Sequence, residues 1–293
     1  MSWLAVIADW IVEPLQYGFM VRALTTTVIA AIACGLLSCW LVQIGWSLMG
    51  DAVSHAVLPG VVLAYIAGWP FALGAFVFGV GAVALIGGIQ STTKIKADAA
   101  IGVVFTSLLA LGVVLISVTP SQVDLGHILF GNVLGVSPAD LLQVAVIGMV
   151  ACGLLIVKRR DFTLYAFDPL HAHAIGLNTR LIRTMLLGLL ALTVVVTLQA
   201  VGIVLVVAML IIPGATAYLV ARSMGRMLVV AAVATSVASV AGTYVSFYAD
   251  WSTGGTVVLA QALLFGLAYI GARLRGRPRR TAAAATGRSH VSA

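Results

Sequence analysis

"VGIVLVVAMLIIPGATAYLVA", residues 201–221, carries no Asp, Glu, Lys, Arg or His. At about 1.5 Å of rise per residue, such a run makes a helix about 30 Å long, the thickness of a bilayer's hydrocarbon core. It lacks the alternation of polar and apolar residues that a membrane β-barrel strand needs. The stretch therefore reads as a transmembrane helix and places the chain in the all-α membrane class.

Comparable runs fall near 23–44, 52–68, 70–90, 100–118, 139–157, 181–199, 227–247 and 254–272, the quoted one covering 202–221. The 293 residues are 62% hydrophobic and 9% charged, with a mean hydropathy of +1.14, which excludes a soluble globule with a polar surface. The expected architecture is a polytopic helical bundle of about eight to nine spans. The count turns on the tight junction "GWPF" (68–71) and on the almost unbroken apolar stretch 185–221.

The net charge of +7 comes mainly from short clusters: Lys94 with Lys96, Lys158 to Arg160, Arg180 with Arg183, Arg222 with Arg226, and Arg273 to Arg280. Each abuts an apolar run, the pattern of cytoplasmic loops under the positive-inside rule rather than of a nucleic-acid-binding face. Nine spans put the C-terminus in the cytoplasm and the N-terminal segment, 1–22, outside as an interfacial segment. Residues 23–273 form the membrane domain, and 274–293, basic and then rich in small residues, read as a disordered tail. "MSWLAVIADWIVEPL" lacks a basic leader and carries Asp9 and Glu13, so no cleavable signal peptide is expected. Residues 121–138, punctuated by glycine, read as an outer connection with a short helix. Cys34, Cys39 and Cys152 lie in apolar runs with no C-x-x-C spacing, so they read as buried small hydrophobes. "AIGVV" (100–104) and "AVGIV" (200–204) are either the trace of an inverted repeat or chance likeness.

"MGDAVSHAVLPG", residues 49–60, breaks the rule that keeps charge out of the apolar runs. Four residues apart on a helix, Asp51 and His55 share a face, and a carboxylate oxygen with an imidazole nitrogen suits zinc or manganese. Pro59 has no N–H to offer the His55 carbonyl, which predicts a helix opened beside the pair. A second reading makes Asp51 the N-cap of the second span and His55 a buried histidine bonded to a backbone carbonyl. Two ligands are too few for a closed metal site, so the ligand reading points to a symmetric pair of chains.

Between the fifth and sixth runs lies "FDPLHAHAIGL" (167–177). Asp168 as N-cap, Pro169 at the first helical position and Gly176 as the stop predict a helix of about two turns on the cytoplasmic side. It is presented either to a partner or to the lipid headgroups. His171 and His173, two apart, point away from each other and do not chelate as a pair. The phosphate-loop pattern G-x-x-x-x-G-K-[ST] does not occur, so any ATP-driven motor is a separate subunit.

The chain resembles the membrane permease subunit of the zinc/manganese/iron family of ATP-binding-cassette importers. The matching stretches are "EPLQYGFMVRAL" (13–24), "MGDAVSHAVLPGVVLAY" (49–65), "KADAAIGVVFTSLLALGVVLIS" (96–117), "HILFGNVLGVSPADL" (127–141), "FDPLHAHAIGL", "VGIVLVVAMLIIPGATA" (201–217) and "DWSTGGTVVL" (250–259). This resemblance implies a homodimer in the cell membrane, bound to a cytoplasmic ATPase subunit and fed by an extracytoplasmic metal-binding protein. It implies that Asp51 and His55 contact the metal in transit and that Asp168, Pro169, Leu170, His171, Ala172, Ile175 and Gly176 couple to the ATPase. The chain departs from the family at His171, where an acidic or basic residue is more common, and at Ile44 to Trp46, where relatives often carry basic residues.

Asp124 and His127, three apart in the outer connection, are either a ligand pair at the mouth of the path or solvated loop residues. Pro213 frees the Met209 carbonyl and marks a hinge, a gate or an ordinary kink. Trp69, Tyr244, Tyr248 and Trp251 read as interfacial anchors, and Gln199 and Gln261 as interhelical hydrogen-bonding groups. The expected function is ATP-driven import of a divalent transition metal, zinc or manganese with iron also allowed, with ATP on the partner and no cofactor held permanently. The alternative is a proton-coupled secondary transporter in which Asp51 and His55 relay protons. An intramembrane metalloprotease is disfavoured by the lack of H-E-x-x-H.

Overall fold

A computed structural model describes residues 10, 12–119 and 133–274. Among them, nine helices are long and apolar enough to cross a membrane. They are α1 (Gly18–Ile44), α2 (Ser47–Ala67), α3 (Phe71–Thr92), α4 (Ala97–Val118), α5 (Pro138–Val157), α8 (Thr179–Val201), α9 (Ile203–Val220), α10 (Met224–Ala249) and α11 (Thr253–Leu274); α6 (Arg159–Phe167) and α7 (Pro169–Ala174) are short. The helices overrun the apolar stretches because hydrophobicity marks only the part inside the bilayer. α1 starts at Gly18 rather than 23, and α2 at Ser47 rather than 52. Cys34, Cys39 and Cys152 are free thiols. Of the outer connection 121–138, the described part holds only a 3-10 turn, Val133–Gly135, before α5. Asp124, His127 and the tail beyond Leu274 lie outside the described residues.

Both ambiguous junctions are real. At "GWPF" the Trp69 N–H returns to the Ala64 carbonyl (2.8 Å), closing α2 before α3 begins. The stretch 185–221 is broken at a single residue, Gly202, with φ 84° and ψ 164°. Only glycine enters that backbone region without strain, so one residue ends a span and begins the next. Gly102, its counterpart in the pentapeptide likeness, sits inside α4, so the two segments are not structural equivalents.

Contacts group by the end of the bundle, each end named for the side that the basic clusters predict. On the outer side Tyr248 stacks on Trp10 at 4.9 Å, and Arg22 donates to the Val136 carbonyl at 3.2 Å. On the cytoplasmic side Arg183 donates to Gln90 Oε1 at 2.7 Å. Trp69 and Trp251 are exposed at outer helix ends, as anchors should be.

Burial splits the spans. Within the chain, α1, α2 and α8 are about two-thirds buried or more, whereas α11 is 11% buried. α1 touches α5, α8, α9 and α10, and α2 lies between α3, α4 and α9. With lipid as apolar as leucine, close approach rather than water exclusion holds such helices together. At Gly60 of α2 and Gly74 of α3 the backbones nearly touch: a Cβ on either would collide with the other's carbonyl.

Gln199 and Gln261 do not make the expected interhelical bonds. Gln261 is buried with neither amide atom paired, and Gln199 Nε2 is likewise unpaired. The hydroxyls that share a small void with Gln261 are spent on their own helices: Thr216 donates to the Ile212 carbonyl and Thr235 to the Ala231 carbonyl, each at 2.7 Å.

Candidate metal transit site

Asp51 is not an N-cap. Trp46 holds the cap position of α2 without a side-chain bond, and Asp51 lies inside the helix, about 6 Å beyond its cytoplasmic start. His55 follows one turn deeper, its Nε2 3.5 Å from Asp51 Oδ1. That separation is long for a hydrogen bond. It suits a shared cation: two donors at about 2.1 Å from one ion sit about 3.0 to 3.4 Å apart for octahedral to tetrahedral angles.

The pair is half-open, with side chains 32% and 25% exposed. The His55 Nδ1 is buried and has no hydrogen-bond partner among the described residues, where the carbonyl-bonded reading therefore finds no support. The Phe105 ring of α4 meets the imidazole edge-on at 5.2 Å, and Leu210 of α9 covers Gly50 so closely that a Cβ there would lie 2.8 Å from its Cδ1. No third His, Cys, Asp or Glu joins them among the described residues. The described residues of one copy therefore offer an ion two side-chain ligands.

The two prolines expected to open or kink their helices do not end them. Pro59 and Pro213 lie inside the continuous helices α2 and α9, since a proline removes one backbone bond while neighbouring turns hold the helix. Pro59 packs instead against α4, where a Cβ on Gly112 would lie 3.1 Å from its Cδ.

The short cytoplasmic helix forms as its punctuation predicts. Asp168 caps α7 by accepting from the His171 N–H at 2.9 Å, and Gly176 ends it with φ 90°. Leu170 is 84% exposed and Phe167 and Ile175 are also exposed, an apolar surface in need of cover. Ala172 is the exception among the seven residues expected to couple: it is fully buried within the chain. Asp168→Ala should loosen α7 by about 1 kcal/mol, the usual worth of an N-cap, and lower ATP-driven uptake with no loss of chain from the membrane. Uptake assays at matched expression check it.

Sequence reading missed α6, which carries α7. Its signal is the apolar pair Phe162 and Tyr165, three apart behind Asp161 in the first turn. Phe162 meets Trp40 edge-on at 5.8 Å, and Trp40 Nε1 donates to Thr163 Oγ1 at 3.3 Å. Tyr165 faces Trp46 at 6.5 Å, and the Arg183 guanidinium lies 5.6 Å from the centre of the Trp46 ring. Burial pushes the Tyr165 phenol above its usual pKa, while Arg183 pulls the other way. Arg183 of α8 thus brings a cation from another helix to the start of α2. A packed route thus runs from α7 through α6 to the start of α2, five residues before Asp51.

The chain is 49% identical over 263 residues to the manganese transport system membrane protein MntB of Synechocystis sp., covering 90% of this chain and 86% of that protein. It is 47% identical to the chelated iron transport system membrane protein YfeD of Yersinia pestis, covering 88% and 87%. Among solved structures, PsaBC from Streptococcus pneumoniae in complex with Fab superposes with a TM-score of 0.81 at 39% identity, covering 90% of this chain and 95% of that one. A metal-chelate type ABC transporter in an inward-facing conformation shares the fold, with a TM-score of 0.72 at 18% identity over 86% of each chain. The family model for the ABC 3 transport family matches residues 16–272, and the chain belongs to that family.

Proposed function

We propose that the chain is the membrane subunit of an ATP-driven importer of manganese or ferrous iron, and that Asp51 and His55 hold the ion in transit. The observation that carries this reading is the pair itself: a carboxylate and an imidazole on one face of a buried span, 3.5 Å apart, with no third ligand among the described residues. A site with few ligands binds weakly enough to release, as conduction requires. The relatives are named for manganese and iron transport, which favours those ions over the zinc that the pair would also accept. Membership of an ABC transport family favours ATP over a proton gradient as the drive, so the ATPase belongs to a partner bound at Leu170, Ile175 and their neighbours. A metal-binding protein on the outer face and a second copy of the chain complete the assembly.

Nucleotide-driven movement of the ATPase would shift α7, and the buried aromatic contacts of α6 would carry that shift to Trp46 and the start of α2. In proteoliposomes holding the complete transporter, radiolabelled manganese or ferrous iron should enter only with ATP, and zinc should compete poorly. Uptake driven by a proton gradient in the absence of the ATPase would overturn this reading.

A further inference from the structure

A cavity of about 410 Å³ opens between the cytoplasmic ends of α9, α10 and α11, lined by Arg222, Arg226, Leu267, Ala268 and Gly271 among others. Its depth is that of the lipid headgroups: Arg222 lies in the link between Val220 and Met224, and Arg226 in the first turn of α10. The flank is open to the outside of the chain, since α11 is the least buried of the nine spans. The notch exists because its wall is small: a Cβ on Gly271 would meet nothing within 4 Å.

No described carboxylate neutralises the charge of the two arginines. The described carboxylates on this side are engaged elsewhere: Asp51 faces His55, Asp161 pairs with Lys158, Asp168 caps α7 and Asp98 accepts from the Ala99 N–H. Guanidinium groups four residues apart suit phosphate oxygens, which they grip in a planar fork. Above the notch, exposed Leu267, Leu263 and Leu259 recur every fourth residue along α11, an apolar track leading into the hydrocarbon.

We infer that this cavity binds one anionic phospholipid, its phosphate between Arg222 and Arg226 and an acyl chain along the leucine track. Basic pockets between spans on the cytoplasmic side hold acidic headgroups in this way. The lipid clamps the ends of three helices at a point where Arg222 and Arg226 otherwise repel each other.

The full chain, purified in detergent, is titrated with phosphatidylglycerol or phosphatidylcholine and examined by native mass spectrometry. One phosphatidylglycerol per chain should be retained in preference to phosphatidylcholine. The double variant Arg222→Gln/Arg226→Gln should retain it about thirty-fold less well, at about 1 kcal/mol per arginine. Gly271→Leu fills the notch but keeps both charges, and it should weaken retention comparably. Arg159→Gln/Arg160→Gln, which removes two cations elsewhere on the same face, should leave it unchanged. Equal retention of both lipids, full retention by Gly271→Leu, or displacement by millimolar inorganic phosphate as readily as by lipid would each overturn the site. So would an Arg222→Gln/Arg226→Gln chain that sheds a partner ATPase yet keeps its lipid. Should the double variant not fold, Gly271→Leu decides.

Discussion

Asp51→Asn and His55→Ala each lower metal uptake by at least the roughly 10- to 100-fold that follows from disturbing a group that merely orients a metal ligand. The amount of chain in the membrane stays the same. Asparagine keeps the size and one acceptor oxygen of Asp51 but removes the charge that offsets a divalent ion entering a low-dielectric path. Alanine removes the imidazole whose Nε2 stands 3.5 Å from Asp51 Oδ1, leaving one ligand per copy. Because Asp51 is inside α2 and not its cap, neither change should unwind the start of the helix. Radiolabelled uptake at matched membrane levels, together with recovery of the ATPase on the purified chain, separates lost transport from lost assembly. Unchanged uptake in both variants would remove the pair from the path.

A second large effect is expected at the contact between α2 and α3. Gly60→Leu or Gly74→Leu places a side chain where the facing backbone carbonyl already is, and a backbone cannot give way as a side-chain tip can. The cost should reach or exceed about 3 kcal/mol, the upper end of ordinary overpacking. The expected result is aggregated or degraded chain, read by size-exclusion profile and thermal melting in detergent. Gly81→Leu is the control: a Cβ there meets nothing within 4 Å, so that variant should behave like the parent. A well-behaved Gly60→Leu chain would mean that α2 and α3 do not approach at this point.

The candidate pair was legible in the sequence; its position within the helix was not. Asp51 and His55 stood out because an ionisable group in an apolar run is rarely there by accident. Whether Asp51 capped the helix depended on where α2 begins, and hydropathy locates the bilayer rather than the helix end. The prolines show a related gap: a missing N–H predicts a lost bond, but how far the helix runs on past it depends on the turns around it. The link from α7 to the pair was illegible because it joins Trp46, Tyr165 and Arg183, which are far apart in the chain and individually ordinary.

The sequence by itself determined the membrane class, the span count to within one, the capped short helix between α5 and α8 and the shared helical face of Asp51 and His55. Each follows from local physics: hydrocarbon thickness, capping chemistry and helical periodicity. Only the tertiary structure decided which spans are inner, that Gly202 alone separates α8 from α9, that Ala172 is buried, and that α6 ties the cytoplasmic helix to the start of α2. Apolar runs look alike to lipid and to protein, so their neighbours are settled by shape, where a glycine meets a carbonyl or a tryptophan meets an arginine, and hydropathy has no record of shape.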